Sequence, residues 1–349
     1  MVSSETPALS AALAKLAARC DLTAAEAEAA FVEVMEGKGD DAQKSGLLMG
    51  LRGKGETAAE VAGGVRALRR AVIAVASSDP DRLVDTAGTG GGSGITTFNI
   101  STAAAFVVAG GGVPVAKHGN RSHTSRCGSA DVLEALGVKI DISPEKMSSI
   151  LERVGLTFMY APALHPAMRH IGPVRRALGV PTVMNVLGPL TNPAGARRQV
   201  VGVSHPALLP LVAGALADLG HIRALVVHGE PGMDELSPAG HTDVVSVEAG
   251  SIEETRFDPA AELGWTDIDL GDLIGGEPED NARVIEEILA GAGKRGGRAA
   301  VILNAAAGLV VGGVVGTIPD GVEMAESIIS EGKGLAVLEA LREASASGD

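Results

Sequence analysis

The chain has 349 residues, a formal net charge of −14 at pH 7, and two cysteines, Cys20 and Cys127. That charge would repel a phosphodiester backbone, and no run of Lys and Arg offsets it, so we expect no nucleic acid partner. The cysteines lack CxxC spacing and clustered histidines, which argues against a disulfide framework and against a zinc site.

The N-terminus, MVSSETPALS, lacks the basic and apolar regions of a signal peptide. No apolar stretch approaches the ~20 residues needed to span a bilayer. We therefore expect a cytoplasmic protein without a membrane partner.

The first eighty residues are predicted to form a small all-helical domain. Pro7 is predicted at the first helical position, and the capping-box motifs at 23–26 and 57–60, both TAAE, begin two further helices. Gly37 and Gly53 fall where helices would end. The apolar stripes of these helices need partners, either within the chain, in a second copy, or in both.

After these helices, short β-branched runs alternate with Ala-rich helical segments. This alternation predicts the α/β class: a large domain with a mixed or parallel sheet flanked by helices, beside the small all-helical domain. Ligands of such sheets bind beyond the carboxyl ends of the strands, where the polar motifs of this chain lie. The runs are RLVDTAG, VPVAKHGN, TFMYAP, TVMNVLGP, QVVGVS, ALVVHGE and AVILNAA.

The first polar motif, GTGGGSGITTFNIST at 88–102, follows a predicted strand and precedes an apolar helix. Glycines allow backbone N–H groups to converge on one point, and the helix N-terminus adds partial positive charge, so phosphate is the expected ligand. The motif is neither a dinucleotide GxGxxG fingerprint nor a nucleotide P-loop. A glycine-rich turn with Asn99 or Ser101 as a plain N-cap stays open as the alternative.

Three further motifs add charged groups. Lys117 ends a β-run and begins a loop rich in hydrogen-bond donors, which favours phosphate binding. Asp234 and Glu235 are adjacent acids in a glycine-rich loop, which suggests Mg²⁺, although an isolated pair is more often a solvated turn. Arg175 or Arg176 could hold a carboxylate bidentately, whereas helical arginines usually face solvent.

Taken in chain order, GTGG with FNIST, KHGNR with GSADVLEALG, NVLGPLTNPAG and GMDELSP resemble the anthranilate phosphoribosyltransferase family. The resemblance covers almost the whole chain and implies the fold of the nucleoside phosphorylase-like phosphoribosyltransferases. It implies a helical domain at 1–80 with a mid-chain contribution from about 165–195, and a large domain at 81–164 and 196–349. It also implies a homodimer joined through the helical domain.

The activity implied by the resemblance is transfer of the phosphoribosyl group of phosphoribosyl pyrophosphate to the amine of anthranilate, in tryptophan biosynthesis. Anthranilate would be bound by Gly88, Asn120 and Arg175, with His118 and His165 nearby. No general base is predicted, because positioning and charge stabilisation suffice for this reaction. Phosphoribosyl pyrophosphate would be bound by Gly88, Gly91, Gly92, Thr97, Asn99, Ile100, Ser101, Thr102, Lys117, His118, Gly119, Asn120, Arg121, Ser122, His123, Thr124, Ser125 and Ser129.

The resemblance further implies that Ser101, Asp234 and Glu235 coordinate Mg²⁺. The chain departs from the family pattern at Gly92, where an acidic residue is common, and in a loop one residue longer before FNIST. Two alternatives are weighed: a pyrimidine nucleoside phosphorylase-like enzyme, and a non-catalytic nucleic-acid-binding relative. The acidic pair and NVLGPLTNP argue against the first, and the charge of −14 argues against the second.

Overall fold

The computed structural model describes residues 7–90, 95–122 and 126–347. Seven strands in these ranges form one sheet: β1 Val84–Gly88, β2 Val115–Gly119, β3 Leu156–Tyr160, β4 Arg198–Gly202, β5 Arg223–Gly229, β6 Thr242–Glu248 and β7 Ser251–Phe257. The helices are α1 Ala8–Ala17, α2 Ala24–Met35, α3 Asp41–Lys54, α4 Ala58–Ala71, α5 Ile100–Gly110, α6 Ser129–Ala135, α7 Pro144–Val154, α8 Ala161–Leu164, α9 Gly172–Leu178, α10 Met184–Leu190, α11 Leu208–Asp218, α12 Pro259–Leu263, α13 Pro278–Leu289, α14 Arg295–Gly312, α15 Ile318–Ser330 and α16 Lys333–Ala346.

The sheet is mixed, with strand order β3-β2-β1-β4-β5-β6-β7. The first five strands in this order are parallel, and β5, β6 and β7 are antiparallel neighbours. In the register, Gly88 pairs with Gly202, and Gly202 with Val227. The carboxyl ends of β1, β4 and β5 therefore meet at one edge, and the chain order reverses between β1 and β4, where α/β sheets bind ligands.

The predicted α/β class is confirmed, but two of the predicted strands are wrong. TVMNVLGP overlaps α10, and AVILNAA lies inside α14. A short apolar run does not distinguish a buried strand from a buried helix, and α14 is buried along nearly its whole length. The prediction also missed the antiparallel pair β6 and β7, whose strands carry several charged residues.

The predicted helix starts are confirmed at both capping boxes, whereas Pro7, predicted at the first helical position, is the N-cap residue and α1 begins at Ala8. The side chains of Thr23 and Thr57 each accept a hydrogen bond from the backbone N–H of the glutamate three residues later. The side chain of that glutamate accepts from the backbone N–H of the threonine. A third capping box, at Asp40, was missed. Gly37 follows α2 with a positive φ of 82°, as predicted, whereas α3 continues through Gly53 and ends before Gly55.

The apolar stripes of α1 to α4 are buried within the chain itself. They share one core with residues of α9, α10 and α11 and with one face of β4, β5 and β6, including Leu187, Val201, Val212 and Val245. A second copy is therefore not required to cover them. A larger core lies on the other face of the sheet, around α5 and α14. The division into domains at the predicted bounds stays a prediction. No helix in the described ranges has the length and apolar character needed to cross a membrane.

Candidate active site

Three glycines at the ends of parallel strands support the segment that carries the two adjacent acids. A Cβ on Gly202 would lie 1.5 Å from the carbonyl oxygen of Asp234, and one on Gly229 would lie 2.4 Å from that of Glu235. A Cβ on Gly88 would lie 2.4 Å from Asp234 Oδ2. The acidic segment thus lies directly on the ends of β1, β4 and β5.

The two carboxylates face the glycine-rich motif. The backbone N–H of Gly90 donates a hydrogen bond to Asp234 Oδ2 at 2.9 Å. Burial raises the pKa of Asp234. Burial and the charge of Asp234 raise the pKa of Glu235 well above its usual range. Two acids held side by side in this way favour a cation between them.

Lys117 lies beneath this site instead of extending into solvent, with only 3% of its surface exposed. Its ammonium donates to the carbonyl oxygen of Thr86 at 2.5 Å, to Thr86 Oγ1 at 3.4 Å and to Ser101 Oγ at 3.4 Å. Burial lowers the pKa of Lys117 to about 8, against the opposing charges of Asp85 and Glu235. Its predicted contact with a phosphate stays a prediction.

A small cavity of about 10 Å³ brings the three predicted metal ligands together. Ser101, Asp234 and Glu235 line it, together with Thr86 and Asn304. Carboxylate and hydroxyl oxygens are the donors that Mg²⁺ prefers, and Mg²⁺ commonly takes only one or two protein carboxylates beside substrate phosphates. The described residues contain no group of three or more His, Cys, Asp or Glu side chains placed to hold a metal.

The N-terminus of α5 is not closed by a side chain. Asn99 precedes the helix but makes no capping hydrogen bond, so the plain N-cap alternative does not hold for it. Its amide instead donates to the carbonyl oxygen of Cys127 at 3.2 Å and accepts from Asn281 Nδ2 at 3.0 Å. Thr102 Oγ1 is buried without a hydrogen-bond partner among the described residues. The backbone N–H groups at this N-terminus are partly engaged, since those of Ile100 and Thr102 donate to the carbonyl oxygens of Phe98 and Asn99. The partial positive charge of a helix N-terminus suits a phosphate.

The remaining residues of the predicted cradle have mixed placements. Gly91, Gly92, His123, Thr124 and Ser125 lie outside the described residues. Ile100 is buried in the core as the first residue of α5, and Thr97 pairs with Ile274 in an isolated bridge.

The loop that follows β2 is tied to α6. The guanidinium of Arg121 binds the carboxylates of Asp131 and Glu134, at 2.9 and 2.5 Å, which are internal partners. The backbone N–H of Ser122 donates to Asp131. Ser129 Oγ donates to the carbonyl oxygen of Asn120 at 3.3 Å, and a Cβ on Gly119 would lie 2.3 Å from that hydroxyl oxygen. Ligand contacts by these side chains stay predictions.

Two histidines from distant segments meet beside this loop. His118 Nε2 lies 3.0 Å from His165 Nε2. Burial lowers the pKa of His165 to about 4, and burial together with the charge of His165 lowers that of His118 to about 3. Both rings are therefore neutral near pH 7, with one nitrogen donating and the other accepting.

Arg175 is partly buried in α9, and burial lowers the pKa of its guanidinium. No carboxylate of the described residues lies within salt-bridge distance of Arg175. A partly desolvated guanidinium without an internal counterion suits an anionic ligand. Arg176, the other candidate, is exposed.

Sequence reasoning missed a buried polar network behind β1 and β2. Asp85 is fully buried and accepts from the backbone N–H of His118 at 3.1 Å, from Asn192 Nδ2 at 2.8 Å and from Gln199 Nε2 at 3.3 Å. Burial raises its pKa to about 6, although Lys117 and these donors oppose the rise. The network fixes the strand that carries Lys117 and His118. The one sign of this network in the sequence is Asp85 itself, a charged residue inside the apolar run RLVDTAG.

A groove of about 320 Å³ lies at the opposite edge of the sheet, before β1, β2 and β3. Its lining includes Arg82, Pro114 and Gly155 and none of the predicted site residues. The chemistry of this chain is concentrated at the other edge.

Comparison with known proteins places this site in a family. The model of the glycosyl transferase family a/b domain matches residues 80–335, and that of the helical bundle domain of the same family matches residues 10–72. An anthranilate phosphoribosyltransferase of Methanosarcina mazei is 48% identical over 319 residues, which are 91% of this chain and 85% of that protein. One from Desulforudis audaxviator is 50% identical over 92% of each chain.

Solved structures agree with these relatives. The anthranilate phosphoribosyltransferase of Thermus thermophilus superimposes with a TM-score of 0.90 at 41% identity, over 96% of this chain and 99% of that one. The enzyme of Saccharomyces cerevisiae in complex with PRPP and Mg superimposes with a TM-score of 0.87 at 26% identity, over 99% of both chains.

Proposed function

The chain belongs to the anthranilate phosphoribosyltransferase family, and we propose on this premise that it transfers the phosphoribosyl group of phosphoribosyl pyrophosphate to the amine of anthranilate. The products are N-(5-phosphoribosyl)anthranilate and pyrophosphate, in tryptophan biosynthesis. The observation that carries the proposal is the meeting of Ser101, Asp234 and Glu235 around one cavity at the switch point of the sheet.

In this reaction the amine nitrogen bonds to C1 of the ribose as the bond from C1 to the pyrophosphate oxygen breaks, and the amine proton passes to solvent. The N-terminus of α5, which has no side-chain cap, would hold the diphosphate. Ser101, Asp234 and Glu235 would hold Mg²⁺, which when bound neutralises charge on the leaving pyrophosphate. Because the aromatic amine is uncharged, positioning and electrostatics suffice, and the neutral pair of His118 and His165 need not act as a base.

Anthranilate would bind with its carboxylate on Arg175. Support comes from the burial that lowers the pKa of its guanidinium, and from the lack of a carboxylate within salt-bridge distance among the described residues. Gly88, Asn120, His118 and His165 are proposed to line the same subsite. The two histidines already contact each other, although one lies in β2 and the other follows α8.

We further propose that the protein is a cytoplasmic homodimer joined through its helical segment. The family resemblance supports this, together with exposed large apolar side chains there, such as Met49 at 40% and Ile73 at 42% exposure.

The test is an assay of the purified protein for loss of anthranilate fluorescence with phosphoribosyl pyrophosphate and Mg²⁺. We expect Mg²⁺-dependent consumption of anthranilate and no phosphorolysis of pyrimidine nucleosides.

The double variant Asp234→Asn with Glu235→Gln should lose most of the metal-dependent rate. Its thermal stability should not fall, since two repelling carboxylates have been neutralised. An unchanged dependence of rate on Mg²⁺ in the double variant would reject the metal assignment, and phosphorolysis in place of transfer would favour the phosphorylase alternative.

A further inference from the structure

We propose that Asn304 is a positioning residue that sets the Mg²⁺ affinity of the site by fixing the main chain next to Glu235; this rests on the proposed function. Asn304 lies in α14, far from the acids in sequence, and is 5% exposed. Its Oδ1 accepts the backbone N–H of Leu236 at 3.0 Å. Its Nδ2 donates to the carbonyl oxygens of Leu236 at 3.0 Å and of Ala300 at 2.9 Å.

These bonds give the side chain one orientation. The oxygen faces an N–H group and the nitrogen faces two carbonyl oxygens, so every polar atom of the amide has a complementary partner. The two bonds to Leu236 replace the pairing that a neighbouring strand would give it. The third bond, to Ala300, fixes the amide to its own helix.

The acidic segment has few other attachments. Met233 pairs with Gly229 on one side, and Ser237 bonds to Thr242 on the other. Between these points, the segment's own N–H and carbonyl groups make no hydrogen bond to other described residues except those to Asn304, and the Asp234 carboxylate accepts the N–H of Gly90. Contact with the strand-end glycines blocks movement toward the sheet, and Asn304 restrains movement away from it.

The restraint acts where it matters for a cation. Leu236 follows Glu235 directly in the chain, so the two bonds from Asn304 to the main chain of Leu236 limit where the Glu235 carboxylate can lie. Asn304 also lines the same cavity as Ser101 and the two acids. Groups that orient metal ligands in this way typically change metal affinity by 10- to 100-fold when removed. The role of Asn304 is thus to keep the two carboxylates converged before the metal arrives.

The experiment measures binding of Mn²⁺, a paramagnetic substitute for Mg²⁺, in the presence of pyrophosphate. The concentration of free Mn²⁺ is read from its electron paramagnetic resonance signal. Asn304→Ala removes all three hydrogen bonds, and Asn304→Leu removes them while filling the space. We expect roughly tenfold or greater weakening of Mn²⁺ binding in both variants. Anthranilate affinity, from fluorescence titration, should change less than about twofold.

Leu309→Ala is the matched control, because Leu309 is fully buried in the same helix and packs near Gly111, at the end of α5 remote from the acids. It should lower the thermal unfolding temperature without changing Mn²⁺ affinity. Mn²⁺ binding within about twofold of the parent in both Asn304 variants would overturn the proposal. So would failure of both to fold at a temperature where Leu309→Ala is folded, since Asn304 would then be a core residue only. A parent protein that binds Mn²⁺ but lacks transferase activity would reject the proposed function and leave this comparison intact.

Discussion

At the scale of single residues, Arg175 separates the two proposed substrates. Only anthranilate has a carboxylate to meet its guanidinium, so Arg175→Ala should raise the KM for anthranilate. Losing a charged hydrogen-bonded pair worth about 2 kcal/mol corresponds to a rise of roughly 30-fold in that KM. The KM for phosphoribosyl pyrophosphate should change less than about twofold. Steady-state kinetics measure both constants, and Arg176→Ala, at the exposed neighbour, is the control. Equal rises in both constants would make Arg175 a structural residue.

The pair of His118 and His165 makes stability depend on pH. Each pKa falls from 6.5 to about 3 or 4 in the folded protein, so the unfolded chain binds more protons below pH 6.5. Stability from the neutral pair is therefore complete above pH 6.5 and is lost as the pH falls toward the folded pKa values. At pH 5 the loss is about 2 kcal/mol for each histidine.

Urea unfolding between pH 7 and pH 5 measures this loss. His165→Gln keeps a hydrogen-bonding group without a titrating ring, so its free energy of unfolding should fall by about 2 kcal/mol less than that of the parent over this range. His205→Gln, at an exposed histidine, should retain the parent's dependence. The same slope in His165→Gln and the parent would show that the pair is already protonated at pH 7 or is not coupled to folding.

At the scale of elements, the site depends on how closely the acidic segment approaches the end of β4. A Cβ on Gly202 would lie 1.5 Å from the carbonyl oxygen of Asp234, so Gly202→Ala must displace that segment. We expect a stability loss of about 1 to 3 kcal/mol and a higher Mg²⁺ concentration for half-maximal rate. Thermal unfolding and Mg²⁺ titration measure these effects.

Gly53→Ala is the control for that substitution, because Gly53 is helical and a Cβ there meets nothing within 4 Å. It should stabilise the protein by up to about 1 kcal/mol and leave the Mg²⁺ dependence unchanged. If Gly202→Ala retains the parent's Mg²⁺ dependence, the close contact with β4 does not position the acids.

Elements set by local chemistry could be predicted from the sequence, and those set by packing could not. Thr23 and Thr57 cap helices through a glutamate three residues away, so the signal lies within one turn. The apolar runs of α10 and α14 carry no such signal, because complete burial removes the alternation that distinguishes helix from strand.

The candidate site divides in the same way. Asp234 and Glu235 were predicted because acids, turn and strand end are adjacent in the chain. Asn304 was missed because it lies 68 residues from Leu236 in sequence. The family resemblance predicts Arg121 as a ligand of phosphoribosyl pyrophosphate, whereas its ion pairs with α6 depend on how that loop folds back.

At the scale of the whole molecule, one core joins the helical segment to the sheet. The stripes of α1 to α4 pack on α10, on α11 and on a face of β4, β5 and β6. His165, in the mid-chain segment, contacts His118 of β2, and the acids follow β5. Arg175, in the same mid-chain segment, is proposed to bind anthranilate beside them. Substrates would therefore meet where the two parts of the fold adjoin, and movement of one part against the other would alter anthranilate binding before it altered the metal site.

The proposed dimer is the remaining prediction at this scale. Because the chain buries its own helical stripes, the argument for a second copy depends on what stays exposed. Of the six large apolar side chains exposed in the described ranges, Met49, Ile73 and Val180 lie in the helical segment or its mid-chain contribution. A charge in an apolar interface is costly unless it is paired, so Met49→Glu should shift the protein toward monomer. Val314→Glu places the same charge at a residue of similar exposure, 45%, outside that segment and should leave the assembly unchanged. Sedimentation velocity at micromolar concentration measures all three proteins. A monomeric parent would remove the dimer, and equal dissociation by both variants would mean that the interface is not in the helical segment.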